Sequence, residues 1–226
     1  MLFDEVFGDP EFNPEKCFVS SKATVIGRVI MEEEVIVAPG ASIRADEGTP
    51  FKICRGTNVQ DKVTMHGLLD QFVEEGGKKF SIWIGSHCSI AHDATIHGPA
   101  KVGKHSFVGF DAKVLFSTVG RNCCVDHDAK VINAVVGSNC YIGVGAIVRD
   151  CTIGDGRFVP DGAIVNCPAL ADALPMFTKE QRDKKNHFNQ EVVDYNKKKL
   201  LPLYRERRKK KREAARKKKQ ETAKKK

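Results

Sequence analysis

Aromatic residues are scarce in this chain, at 8% with a single Trp, although 41% of its 226 residues are apolar. A core built from it is lined mostly by small aliphatic side chains. Long hydrophobic runs are also missing: none approaches the roughly 18 to 20 residues of a membrane-spanning helix. Met1 to Pro10 is acidic and holds no hydrophobic signal region. These absences argue against a secreted or integral membrane protein and for a cytoplasmic one. Eight cysteines are present, but no CxxC pair or zinc-ribbon spacing accompanies them, so reduced thiols are expected rather than a disulfide scaffold.

The net charge of +8 divides unevenly. Lys197 to Lys226 holds 17 Lys and Arg against 3 Glu, whereas the remainder holds 20 basic and 26 acidic residues. A mildly acidic body therefore carries a basic tail. An anionic partner of that tail would be nucleic acid, a membrane surface or an acidic protein; solubility is the blander role. No aromatic residue follows Tyr204, which argues against base stacking.

What the sequence does have is a period of six. Aliphatic residues or Met recur from Val19, Val25, Met31, Val37 and Ile43, through Ile53, Val59 and Met65, to Ile84, Ile90 and Ile96, and onward with occasional five-residue steps to Val165. Small residues such as Cys88, Ala94, Cys123 and Cys140 often follow four places later. Neither a 3.6-residue helix nor a simple strand has this period. A short strand plus a corner, repeated three times per coil, does: an all-β solenoid, a parallel β-helix of triangular section. Glycines after the aliphatic, among them Gly85, Gly103 and Gly120, are expected to ease tight corners. Cys88, Cys123 and Cys140 are expected to pack as small hydrophobes, while Cys54, Cys124, Cys151 and Cys167 leave a redox pair open.

The register is interrupted by insertions near 45–52 and 67–83. The expected organisation is an N-terminal segment (1–18), the solenoid (19–167), a connection and C-terminal α-helix packing back along it (168–204) and a basic tail, helical or disordered (205–226). Phe188, Val192 and Tyr195 have helical spacing, and Pro202 is expected to break the helix.

Register also sorts the seven histidines. If the insertions replace no face, Ile43, Met65 and Ile96 begin the same face on successive coils, so Arg44, His66 and His97 form one column. His92 belongs to another face, above Asp61, near one edge of the prism. The simplest way to unite His92 with His66 and His97 is a homotrimer in which a neighbouring copy supplies it. Three imidazoles with an open fourth position are the ligand set of a catalytic zinc site; Fe2+ or Co2+ also suits imidazole. Solvated surface histidines are the competing reading. His87, His105, His127 and His187 are expected to be solvated or packing residues.

The stretches IRADEGTPFKICRGTNVQDKVTMHG (Ile43 to Gly67) and SIAHDATIHGPAKVG (Ser89 to Gly103) resemble the gamma-class carbonic anhydrases, and are similar to the carbonic-anhydrase-like domain of the carboxysome scaffold protein. The resemblance implies a left-handed β-helix, hydration of carbon dioxide to bicarbonate by a metal-bound hydroxide at trimer interfaces, and a cytoplasmic or microcompartment location. It implies His66, His92 and His97 as metal ligands, Gln60 and Asn58 as polar groups around the reacting oxygen and carbon dioxide, and Glu47 as proton relay. Arg44, Asp46 and Asp61 correspond to an interface or bicarbonate cluster, and Asn196 to a site-lining asparagine. Leu69 stands where well-known members carry a shuttle glutamate; Asp70, Glu74 and Glu75 are the alternatives. A non-catalytic trimeric scaffold and, further off, a hexapeptide-repeat acyltransferase are the competing functions.

Overall fold

The structure is a computed structural model that describes residues 8–224, without the side chains of 184–188 and 218–224. The first seven residues of the expected N-terminal segment, the last two of the tail, and the side chains of His187 and Phe188 lie outside the described residues. Short parallel strands stack into three sheets of eight, seven and eight strands, the faces of a left-handed β-helix of about eight turns. Sheet one runs from Phe18–Val19 to Phe158–Val159, sheet two from Val29–Met31 to Thr152–Ile153, and sheet three from Thr24–Gly27 to Ile164–Val165.

The six-residue period builds this directly. Each leading aliphatic pairs with its counterpart one coil on, as in Val59 with Ile90 and Ile96 with Val114. Every one from Met31 to Val165 is buried; Val19 and Val25, near the solenoid's start, are partly buried and pack against the same core. The insertions replace no face. Phe51–Ile53, after the first, and Ile82–Ile84, after the second, pair side by side in sheet two. The second insertion carries an antiparallel hairpin, Val73–Glu75 with Lys78–Phe80.

The corner glycines act differently from expectation. The left-handed backbone at the corners belongs to other residues, including His87, His105, Asp111, Asn122, Asp128 and Asn139, all with φ between 53° and 61°. Gly103 is required by proximity: a Cβ there would lie 2.4 Å from the backbone carbon of Gly120 on the next coil. The small-residue position is also more than a hydrophobic filler. Thr57 Oγ1, Cys88 Sγ, Ser106 Oγ, Cys123 Sγ and Cys140 Sγ donate to the carbonyl oxygens of Gly85, Gly103, Gly120, Gly137 and Gly154, each one coil on. These side chains tie successive corners together. All eight cysteines are free thiols, and among the described residues no helix is long and apolar enough to cross a membrane.

After the solenoid come a short helix, α1 (Pro168–Asp172), and α2 (Lys179–Tyr195), which opens on a capping box between Thr178 and Gln181. A π-helical turn, Asn196–Leu200, leads into α3 (Leu201–Lys224). Pro202 therefore does not break the helix. In a regular helix its ring would press on the carbonyl of Lys198; here the preceding turn is wider, with Leu201 N–H bonded to Asn196 O. The helices run back toward the first coil. Asn189 Nδ2 donates to the carbonyl oxygens of His87 and His105, Leu201 is buried, and Tyr204 stacks on Phe18 with centroids 3.9 Å apart.

Two outcomes follow from this packing. Gly103→Ala should lower stability in denaturant unfolding by about 1–3 kcal/mol through overpacking. Gly145→Asn, at φ 65° with nothing within 4 Å of a new Cβ, should stay within about 0.5 kcal/mol of the parent. Burial pushes the Cys54 and Cys88 thiols up to about 12. The reactive thiolate is then present at roughly one part in ten thousand at pH 8, so both should resist a thiol reagent until the protein unfolds, when all eight cysteines should label.

Candidate metal centre

The parallel ladder of sheet three places Arg44, His66 and His97 in one column, Arg44 paired with His66 and His66 with His97. The two rings meet edge to face, centroids 5.2 Å apart, with His66 Nδ1 3.3 Å from His97 Nε2. His97 Nδ1 donates to Gly98 O at 3.1 Å, which leaves Nε2 as the ring's lone-pair nitrogen. Each histidine is followed by glycine for a local reason. Ser81 Oγ occupies the space, 2.4 Å from a Cβ at Gly67 and 2.5 Å from one at Gly98.

The turn after Ala45 brings two carboxylates to the pair. Asp46 Oδ1 lies 3.2 Å and Glu47 Oε1 3.4 Å from His66 Nε2. Arg44 grips Asp46 Oδ2 through both Nε and a terminal nitrogen at 2.8 Å, and Glu47 Oε2 accepts from the Leu69 N–H at 2.9 Å. Despite their 3.2 Å approach, His66 Nε2 and Asp46 Oδ1 are buried and neither has a hydrogen-bond partner. His66 Nε2 and the Asp46 carboxylate thus face each other away from solvent, an arrangement that calls for positive charge between or beside them. Imidazole and carboxylate donors left unsatisfied in this way suit a divalent cation.

His92 stands elsewhere. Its Nδ1 is 3.2 Å from Asp61 Oδ2, and its ring leans on Phe110 at 5.3 Å. It precedes the strand Thr95–His97, whereas His97 ends that strand. His92 and the His66–His97 pair thus occupy opposite margins of sheet three, not one edge of the prism as the register alone implied. Among the described residues, no group of three His, Cys, Asp or Glu is placed to hold a metal.

Beside His92, a groove of about 460 Å³ opens between sheet one and the helices, lined among others by Asn58, Gln60, Asp61, Tyr195 and Asn196. Asn58 is buried; its Nδ2 donates to Ser89 Oγ at 2.9 Å, and its Oδ1 accepts from Gln60 Nε2 at 3.0 Å. That leaves Gln60 with its carbonyl oxygen to offer the groove. Of the alternative shuttle residues, Glu75 is paired with Lys101 of sheet two at 2.5 Å. Asp70 and Glu74 are exposed, and Asp70 directly follows the residue whose N–H binds Glu47.

Three other histidines pack. His87 and His105 stack 5.3 Å apart, and burial holds both below the usual imidazole range. His127 stacks on Phe110 at 4.5 Å and accepts from its N–H. The sequence reading missed Phe110 and Ser81, and took Tyr195 only as a residue of the packing helix, not as part of the groove. Phe110 was findable, standing one coil after His92 in the same register, whereas Tyr195 reaches the groove only through the helix docking.

No protein-family model matches the chain. It is 49% identical over 106 residues to a Nostoc protein named carboxysome assembly protein CcmM, covering 46% of this chain and 19% of the relative. It is 40% identical over 112 residues to a carbonic anhydrase of Methanosarcina thermophila, covering 45% of each. A carnitine operon protein CaiE of Escherichia coli is 32% identical over 98 residues, covering 43% of this chain and 44% of the relative. The chain thus spans less than half the length of these curated relatives. Among solved structures, a hexapeptide transferase family protein from Anaplasma phagocytophilum aligns over 81% of this chain and 92% of its own at 16% identity; its TM-score of 0.42 bears on neither fold nor chemistry. Over about 45% of its length, then, this chain is a homologue of a gamma carbonic anhydrase and of carboxysome proteins named CcmM.

Proposed function

We propose that the protein is a gamma-class carbonic anhydrase, hydrating carbon dioxide reversibly to bicarbonate as a homotrimer. In this reading His66 and His97 of one copy and His92 of the next hold Zn2+, or Fe2+ or Co2+, and the relatives named for carboxysome assembly favour a place in such a microcompartment. The observation that carries it is the 3.3 Å His66–His97 pair facing a buried carboxylate with unsatisfied donor atoms. Placement of His92 at the opposite margin of sheet three supports a site completed by edge-to-edge association. When bound, a divalent cation acidifies the water it carries.

This chain's residues do the rest. Gln60, held by Asn58, accepts a hydrogen bond from the reacting water and fixes its orientation. The groove beside His92, with Asn58 and Asn196 in its wall, receives carbon dioxide. Hydration releases one proton for each bicarbonate formed, and Glu47, 3.4 Å from His66, takes it. The hydrogen bond from Leu69 N–H to Glu47 brings Asp70 next along the chain, so Asp70 passes the proton to solvent. Arg44 holds Asp46 in place, and with Asp61 it contributes to the contact between copies.

A second reading, a non-catalytic trimeric scaffold, is favoured by one observation: exposed, apolar Leu69 at the shuttle position. Elemental analysis of anaerobically purified protein, paired with a carbon dioxide hydration assay, separates the two. Catalysis predicts about one ion per chain. It also predicts that His66→Ala, His92→Ala and His97→Ala each lose that ion, together with more than about a hundredfold in hydration rate. Bound metal without hydration would establish the scaffold, and hydration by metal-free protein would contradict the metal mechanism.

A further inference from the structure

The mechanism leaves α3 unused, and it is the most strongly charged element of the chain. Between Arg205 and Lys217 it holds nine Lys and Arg against Glu206 and Glu213. It is not a loose tail along this stretch. Arg205 and Arg208 donate to the carbonyl oxygens of Lys16 and Pro14, Arg212 pairs with Glu15 at 2.7 Å, and Tyr204 stacks on Phe18. These contacts fix the helix against the N-terminal segment. Arg207, Lys209, Lys210, Lys211, Arg216 and Lys217 are exposed. Of these, Lys210 pairs with exposed Glu206, an interaction of the kind solvent weakens.

At 100° per residue, the exposed basic positions Arg207, Lys209, Lys210, Lys211, Arg216 and Lys217 spread over about 220° of the helix, and Arg208 and Arg212 fill the remaining side, turned to the N-terminal segment. Ala214 and Ala215 are the only apolar residues among them. A bilayer surface binds helices with one apolar face and one basic face, and α3 has no apolar face to bury. An acidic protein surface or a lipid headgroup layer meets one side of a helix and leaves the other side's charge unmatched. The surroundings that match charge over so wide an arc are a groove with anionic walls on both flanks. The B-form major groove is about 12 Å wide and lined by phosphates, and it admits a helix of about 10–12 Å diameter. Like charges three and four residues apart, such as Arg207 with Lys210 and Lys211 or Arg208 with Lys211 and Arg212, repel within the helix. Phosphates on either side relieve that repulsion.

We infer that α3 is a docking element for double-stranded DNA, bound through its phosphates without base readout. The inference does not depend on the catalytic proposal. To test it, the full chain is titrated by fluorescence anisotropy with two labelled 24-base-pair duplexes of unrelated sequence, a single strand, phosphatidylserine vesicles and polyglutamate. Both duplexes should bind with Kd values within about threefold of each other and more tightly than the single strand, vesicles or polyglutamate. With six exposed cationic side chains engaged, affinity should fall about a thousandfold between 50 and 200 mM salt. The combined variant Arg207→Gln, Lys209→Gln, Lys210→Gln, Lys211→Gln should weaken duplex binding at least thirtyfold while far-UV circular dichroism shows the fold retained. No duplex binding at 50 mM salt, equal or tighter binding to the single strand, vesicles or polyglutamate, or an unchanged folded variant would each overturn the inference.

Discussion

Parallel stacking of coils, one strand spacing of about 4.8 Å per turn, is the constraint on which the rest depends. It turns distance along the chain into height along an axis. His66 and His97 are 31 residues apart yet neighbours, because the hairpin insertion leaves the face count unchanged. The same constraint governs composition. Corner glycines such as Gly103 leave no room for a Cβ against the coil beside them, and Thr57, Ser106 and the column thiols carry donors that reach those corners' carbonyls. A triangular prism of aliphatic residues gains its rigidity from these repeated contacts, since its strands are only two to four residues long.

Rigidity of this kind suits a divided site. In the proposed trimer each copy would present two half-sites on opposite margins of one sheet: an imidazole pair with its carboxylates, and a lone imidazole beside an amide-lined groove. Neither half moves easily relative to the other, so the geometry of a complete site is set by how copies meet. Arg44, gripping Asp46 while half exposed, stands where such a contact would act on the buried carboxylate directly.

Much of this was legible in the sequence. The six-residue period gave the coils, and register alone placed Arg44, His66 and His97 in a column and His92 above Asp61, because stacked coils obey one rule throughout. What escaped depends on contacts that no local rule encodes. Asn189 reaches His87 and His105 across 102 and 84 residues. Pro202 lies within continuous helical structure because a wider turn precedes it. The glycines were noticed for the right positions and the wrong cause: spacing cannot tell a residue needed for its backbone angle from one needed for its lack of a side chain. His92's margin of sheet three was misjudged because the pattern fixes which coil a residue is on more tightly than which corner it faces.

The central claim, that one cation is held between two copies, is tested most directly by mixing. His92→Ala and His66→Ala protein, each metal-free alone, are unfolded, combined in equal amounts and refolded together, and the bound metal is counted. Random trimers place an intact His66–His97 pair against an intact His92 at about a quarter of interfaces, so metal should return to about a quarter of the parent level. Mixed protein that stays metal-free while folding normally, or a single variant that binds metal unmixed, would contradict the account.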